Sequence, residues 1–170
     1  WAKLLVLRSS RPVEVNQSAR KALELGVSVE GITSTLAENA GLSAEAVRKI
    51  AEFFSADLFR QRFPGRKAKV VTSIAMFYDL DAPMDFVAGV RDILSDDGVW
   101  VVEQSYLPAM IEANAYDTIC HEHLEYYGAR QMCWMMERSG LKIIGIERNA
   151  INGGSFSLTI AKKSAPYPEC

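Results

Sequence analysis

The chain has 170 residues, 49% hydrophobic and 24% charged, with a formal net charge of −2. That length supports one full hydrophobic core and leaves little room for two, and the composition excludes a collagen-like chain, a coiled-coil rod and a mainly disordered one. No run of 18 apolar residues occurs, so no membrane-spanning helix is expected, and 19 basic against 21 acidic residues argue against a broad nucleic-acid footprint.

In chain order, residues 3–7 (KLLVL) read as a short buried strand, broken by 8–15 (RSSRPVEV). Asn16 caps a helix over 17–25 that Gly26 stops, and 27–32 (VSVEGI) reads as a second strand. After a polar connection over 33–39, Ser43 opens a helix toward Phe54 or on to Phe63, ended by Pro64-Gly65. A strand over 50–54 (IAEFF) is the alternative there. Residues 68–74 (AKVVTSI) form a strand, and a helix follows over 81–94 with Pro83 in its first turn and an apolar stripe of Phe86, Val90, Ile93 and Leu94.

Asp96-Asp97-Gly98 is a turn before the strand 99–103 (VWVVE), and 104–128 has mixed character. A helix over 129–139, ending at Gly140, precedes strands at 141–146 (LKIIGI) and 155–161 (SFSLTIA), joined across Asn152-Gly153-Gly154. The alternation predicts one three-layer α/β domain over 1–163, its mainly parallel sheet closed by an antiparallel pair, with 164–170 as a tail.

Cys120, Cys133 and Cys170 form no CxxC and no dense framework, which points to a reducing compartment and hence a cytoplasmic location. The chain opens on Trp1, already apolar, and is expected to be a piece of something longer, with flanking domains or a second copy completing it.

Both histidines of the chain sit in His121-Glu122-His123-Leu124-Glu125-Tyr126-Tyr127. In a parallel sheet, sites lie beyond the carboxyl ends of strands, which makes this run the first candidate for chemistry. Three readings stand. One histidine is a general base; both ligate a metal, which suits a strand, where i and i+2 share a face, and not a helix; or the pair caps buried backbone. Glu122 and Glu125 flank the pair, and each is either a carboxylate that orients an imidazole or a solvated surface charge.

Tyr106, Tyr116, Tyr126 and Tyr127, four of six tyrosines, lie near the histidines and suit a polyhydroxylated ligand, a developing oxyanion or ordinary half-buried packing. Asn152-Gly153-Gly154-Ser155 reads as a hairpin turn or an anion-binding nest. Met132, Trp134, Met135 and Met136 read as a helix face against the sheet. After the first strand, Arg8-Ser9-Ser10-Arg11-Pro12-Val13 holds no glycine where a nucleotide-binding sheet carries a glycine-rich turn, and Thr33 stands where an acidic residue would take ribose hydroxyls. Arg8 by charge alone favours an anion over a sulfonium.

Three further stretches then join the histidine run: Ser73-Ile74-Ala75-Met76-Phe77-Tyr78-Asp79-Leu80, Asp97-Gly98-Val99-Trp100 with Glu103-Gln104-Ser105-Tyr106, and Asn152-Gly153-Gly154-Ser155-Phe156. With Tyr116-Asp117-Thr118-Ile119-Cys120 leading into His121, they resemble the S-adenosylmethionine-dependent C-methyltransferases that act on nucleotide-linked keto-deoxysugars, over about residues 69–163. The resemblance implies the Rossmann-like class I methyltransferase sheet, order 3-2-1-4-5-7-6 with the last strand antiparallel.

It implies S-adenosylmethionine as cofactor and a nucleotide-linked sugar as substrate, with no metal, nucleic acid or membrane involved. His123 would be the base, with Glu122 and His121 assisting, and Gln104, Tyr106, Tyr126 and Asn152 would meet the substrate. The family often has a catalytic tyrosine just before the histidine run; this chain has Cys120, so either that part of the pattern is lost or the nearby Tyr126 compensates. Two other functions remain open at this point: a non-catalytic interaction module that has lost its cofactor half, and a small metal-dependent enzyme built on His121 and His123.

Overall fold

The computed structural model describes residues 5–7, 54–116, 119–121 and 123–170, and the side chains of Leu5, Val6, Leu7 and Asn152 are not among what it describes. The chain divides into two units, residues 1–7 with 53–170 and residues 8–52. The sheet and its helices belong to the first unit. The expected helix over 17–25, the strand over 27–32 and the helix start at Ser43 lie outside the described residues.

Five strands form one sheet: β1 (Leu5–Leu7), β2 (Ala68–Ile74), β3 (Leu94–Ser105), β4 (Leu141–Asn149) and β5 (Ser155–Lys162), in the order β1-β2-β3-β5-β4. β2 and β3 are parallel, while β5 runs antiparallel to both β3 and β4. The run β2-β3-β5-β4 therefore has the spacing and single reversed strand of the 4-5-7-6 half of the expected order, an α/β Rossmann-like sheet. Four helices accompany it among the described residues: α1 (Ala56–Arg62), α2 (Pro83–Ile93), α3 (Leu107–Ala113) and α4 (Ala129–Arg138).

β1 departs from the expected parallel arrangement. It pairs antiparallel with β2, Leu5 opposite Thr72 and Leu7 opposite Val70. Three apolar residues carry no pattern that distinguishes one strand direction from the other, and about 60 intervening residues permit either connection. The carboxyl end of β1 consequently lies toward the start of β2; the residues that follow it, where a cofactor turn was expected, lie outside the described residues.

Local sequence explains the other boundaries. Ser55 caps α1, its hydroxyl accepting the Leu58 amide at 3.1 Å, and Gly65 at φ 70° turns the chain after it. Of the helix expected from Ser43 toward Phe54 or on to Phe63, the described part is α1, which starts at this cap. α2 begins with Pro at its first position, where the missing N–H costs nothing. β3 absorbs the expected turn: Ala68 faces Leu94 and Val70 faces Val99, leaving residues 95–98 as an irregularity within one strand. Gly98 is required there, because a Cβ would lie 2.8 Å from the Ala68 carbonyl oxygen. α3 lies within the stretch of mixed character; Pro108 opens it and Asn114, at φ 50°, closes it in the left-handed region.

Helices α1, α2 and α4 share one core with the sheet, through Phe59, Val87, Val90, Ile93, Met132, Met135 and Met136. Trp100 is fully buried at its centre, and its indole N–H donates to the Ser73 hydroxyl at 2.9 Å across β2 and β3. That bond satisfies a group whose burial alone would cost about 1–3 kcal/mol. Phe77 joins Trp100 at 5.8 Å between ring centres, and Tyr127 joins Phe77 at 5.4 Å. Residues expected as a tail fold back: Ala165 is buried, the Tyr167 hydroxyl donates to the Asp97 carbonyl at 2.8 Å, and the Cys170 amide donates to the Ile143 carbonyl at 3.0 Å. The last of these covers part of β4, the edge of the sheet.

Burial, and secondarily the charge of Glu125, push the Tyr127 phenol up from 10.0 to about 12. The neutral phenol therefore favours the folded state. Its contribution is complete below pH 10 and is lost as pH rises toward 12. Thermal melting across that range should show an alkaline loss of stability that shrinks in Tyr127→Phe. A wild-type melting temperature that stays flat from about pH 9.5 to 11.5 is incompatible with this burial.

Candidate functional site

The parallel pair β2 and β3 finishes at one end of the sheet, and the chain turns sharply there. Ala75 follows β2 at φ 50°, a conformation that costs a non-glycine residue about 1 kcal/mol, and its amide donates to the Glu103 carbonyl at 2.8 Å. The turn Phe77–Asp79 comes next, with Phe77 and Tyr78 buried. Tyr78 holds the histidine run. Its carbonyl accepts the amides of both Leu124 and Glu125, at 3.0 and 3.1 Å, and its ring lies 4.2 Å from the His123 imidazole.

His123 is half-buried, with its amide bonded to the Cys120 carbonyl at 3.3 Å and the Tyr126 ring 6.3 Å away. The segment 123–128 is neither strand nor helix, so His123 does not sit on the strand face that a metal pair with His121 would use. Burial, then the neighbouring Asp79 and Cys120, raise the Tyr78 phenol above its ordinary value, and it stays a neutral donor.

The expected site residues divide. His123 and Tyr126 come together with Tyr78 and Cys120. His121 is exposed in the turn before them. Glu122 lies outside the described residues, as do the stretch Arg8 to Val13 and Thr33. Glu125 is exposed and held by its backbone. Tyr127 belongs to the core, and Tyr116 is 74% exposed. Tyr106 rests on Phe156 at 4.9 Å, under the Arg148 guanidinium at 5.0 Å.

Gln104 was expected to meet substrate but is buried, its amide nitrogen 3.6 Å from the Met132 sulfur and its carbonyl oxygen buried with no hydrogen-bond partner. Gln104→Met should therefore leave stability unchanged or raise it by about 1 kcal/mol, read as a melting temperature. A fall of several degrees would show that the carbonyl is satisfied after all.

The glycine turn is explained by packing. Ile151–Gly153 is a single 3-10 turn, and Gly154 follows at φ 122°. A Cβ on Gly154 would lie 2.5 Å from that of Ala109 in α3, and the Gly154 carbonyl accepts the Tyr106 amide at 3.0 Å. Gly154 lets α3 approach the strand end and so fixes where β3 delivers Tyr106. Among the described residues no three His, Cys, Asp or Glu side chains are grouped to hold a metal ion, and no helix is long and apolar enough to cross a membrane.

Tyr78 is the member of this site that pattern reading does not single out. Its signals are its place just beyond a parallel strand, where sites of such sheets gather, and its membership of the stretch 73–80 that carries the resemblance.

Residues 14–146 match the family described as a methyltransferase domain. C-methyltransferase NovU of Streptomyces niveus is 29% identical over 100 residues, which is 59% of this chain and 24% of that protein's length. Among solved structures, magnesium protoporphyrin IX methyltransferase from Synechocystis PCC 6803, with bound SAH, superposes with a TM-score of 0.55 at 8% identity, covering 88% of this chain and 82% of that one. An O-methyltransferase family protein from Burkholderia thailandensis gives 0.52 at 13% identity, covering 77% of this chain and 40% of that one. These two likenesses concern the fold. A sequence match that runs from before the first long helix into β4, on a sheet with one reversed strand between two of common direction, makes this chain a member of the methyltransferase domain family.

Proposed function

We propose that this domain transfers a methyl group from S-adenosylmethionine to C3 of a nucleotide-linked 4-keto-deoxysugar, with His123 as the base. The observation that carries the reading is the seating of the His123 imidazole on Tyr78, at the carboxyl ends of β2 and β3. Its similarity to a C-methyltransferase supports carbon as the acceptor.

The described rim fits a cationic cofactor. Residues 75–80 and 103–107 contain Asp79 and Glu103 and no Lys or Arg; the Arg148 guanidinium over Tyr106 is paired with Glu112 at 3.8 Å, and Asp79 is the group that would meet the charge of a sulfonium. Bound S-adenosylmethionine would supply an electrophilic methyl on positively charged sulfur. The chain's own residues do the rest. A ketone at C4 acidifies the C3 proton; the imidazole nitrogen of His123 takes that proton, and the C–H electron pair becomes the enolate. The hydroxyls of Tyr126 and Tyr78 are the nearby donors for the enolate oxygen. Glu122 and His121 assist the base, and Tyr106 and Asn152 orient the sugar. With the cofactor bound, the enolate carbon would take the methyl as its bond to sulfur breaks and that electron pair returns to sulfur, leaving neutral S-adenosylhomocysteine, a transfer to which the protein contributes mainly positioning.

Calorimetric titration with S-adenosylhomocysteine, followed by assay of labelled methyl transfer to a nucleotide-linked 4-keto-deoxysugar, tests the reading. Micromolar binding and label at C3 are expected. No heat, with a melting temperature unchanged at high ligand, would overturn it.

A further inference from the structure

A second feature lies beside the histidine run and supplies none of the groups assigned above to proton abstraction. Arg130, Trp134 and Arg138 stand at i, i+4 and i+8 of α4, one stripe along the helix, and all three are exposed. Trp134 keeps 51% of its surface in solvent, with the Arg138 guanidinium 4.5 Å from its ring centre. A groove of about 560 Å³ runs along this stripe, between the first turns of α2 and α4, and is walled by Pro83, Met84, Glu125, Tyr127, Arg130 and Trp134.

Each wall has a chemical preference. A half-exposed indole is a flat apolar platform on which a planar base stacks. Arg130 makes no ion pair among the described residues, so its guanidinium is a fork available to phosphate oxygens. Glu125, across the groove, accepts hydrogen bonds and suits ribose hydroxyls. The groove itself is lined by one guanidinium, Arg130, and one carboxylate, Glu125, and the Arg138 guanidinium over the Trp134 ring beside it adds the second positive charge that draws an anion. The volume is that of a small-molecule site. Glu125 and Tyr127 stand two and four residues after His123 in the same loop, so a ligand anchored here extends toward the imidazole.

We propose that this groove binds the nucleoside diphosphate portion of the substrate, the base on Trp134, the diphosphate on Arg130 and the ribose at Glu125. The inference rests on the reading that the substrate is nucleotide-linked.

Titration of the full chain with uridine diphosphate and with thymidine diphosphate, read by tryptophan fluorescence, tests it. The chain has three tryptophans, so Trp134→Phe identifies the reporter. At least one nucleotide should give a saturable quench that Trp134→Phe abolishes. Arg130→Ala should weaken binding about tenfold, a loss typical of one charge-assisted contact. Both side chains are exposed, so both variants should keep the parent melting temperature. No saturable quench by either nucleotide, a quench that survives in Trp134→Phe, or unchanged affinity in Arg130→Ala would each overturn the inference.

Inorganic pyrophosphate binding as tightly as the nucleotides would also overturn it, by removing the role of the indole. The proposed function fails separately: a chain that binds uridine diphosphate here but neither S-adenosylhomocysteine nor a transferable methyl keeps this groove and loses the reaction. One that methylates the sugar while the groove stays empty does the reverse.

Discussion

His123→Asn is expected to lower methyl transfer, and exchange of the sugar C3 proton with solvent, by about 10²–10⁴-fold while leaving the melting temperature within a few degrees of the parent. The size is that of removing a general base from a proton transfer. Asparagine keeps a polar side chain of similar reach in the half-buried position but takes up no proton near neutral pH. The fold should survive because the residue's structural ties are made by its neighbours: the Tyr78 carbonyl holds the amides of Leu124 and Glu125, and Tyr127 anchors the loop in the core. His121→Asn, in the exposed turn, should cost far less. Proton exchange is the sharper readout, since it needs no methyl donor. Exchange at the parent rate in His123→Asn would remove this residue from the role of base, whatever happened to methyl transfer.

The largest loss of stability is expected at Gly154. Gly154→Ala meets two penalties at once. Its φ of 122° lies where a side chain is strained, and the new Cβ would stand 2.5 Å from the Cβ of Ala109. Strain and overpacking of this kind each cost about 1–3 kcal/mol, so a total near ~3 kcal/mol or more is expected. For a chain of this size that is a fall in melting temperature of roughly 10 °C. The double variant with Ala109→Gly separates the two terms, because it removes the clash and leaves the strain. It should recover part of the loss and not all of it. A single variant melting within about 2 °C of the parent would mean that the turn has another conformation close by in energy. The consequence reaches the site, since the Gly154 carbonyl holds the Tyr106 amide at the end of β3.

Much of this molecule is legible in linear order. The strands at 68–74, 141–149 and 155–162 and the helices at 83–93 and 129–138 follow from apolar runs and stripes bounded by Pro and Gly, because burial on one face imposes a period that a window of about ten residues displays. The reversed strand between β3 and β4 follows from two strands with no helix between them. His123 stands out because both histidines fall within three residues. Other features depend on partners distant in sequence, which a local window does not contain. The direction of β1 is decided by its pairing with β2, far along the chain. Gln104 and Tyr106 lie two apart in one motif, yet one is sealed against Met132 and the other reaches the strand end under Arg148.

Gly154 has the appearance of an ordinary hairpin glycine until Ala109 is brought against it. Tyr78, 45 residues before His123, becomes part of the site only when β2 ends where the histidine loop returns. Composition and periodicity report how each segment buries its own apolar face. Which side chains then meet, at what distance and in what dielectric, is a property of the closed core, and the chemistry of His123 resides there.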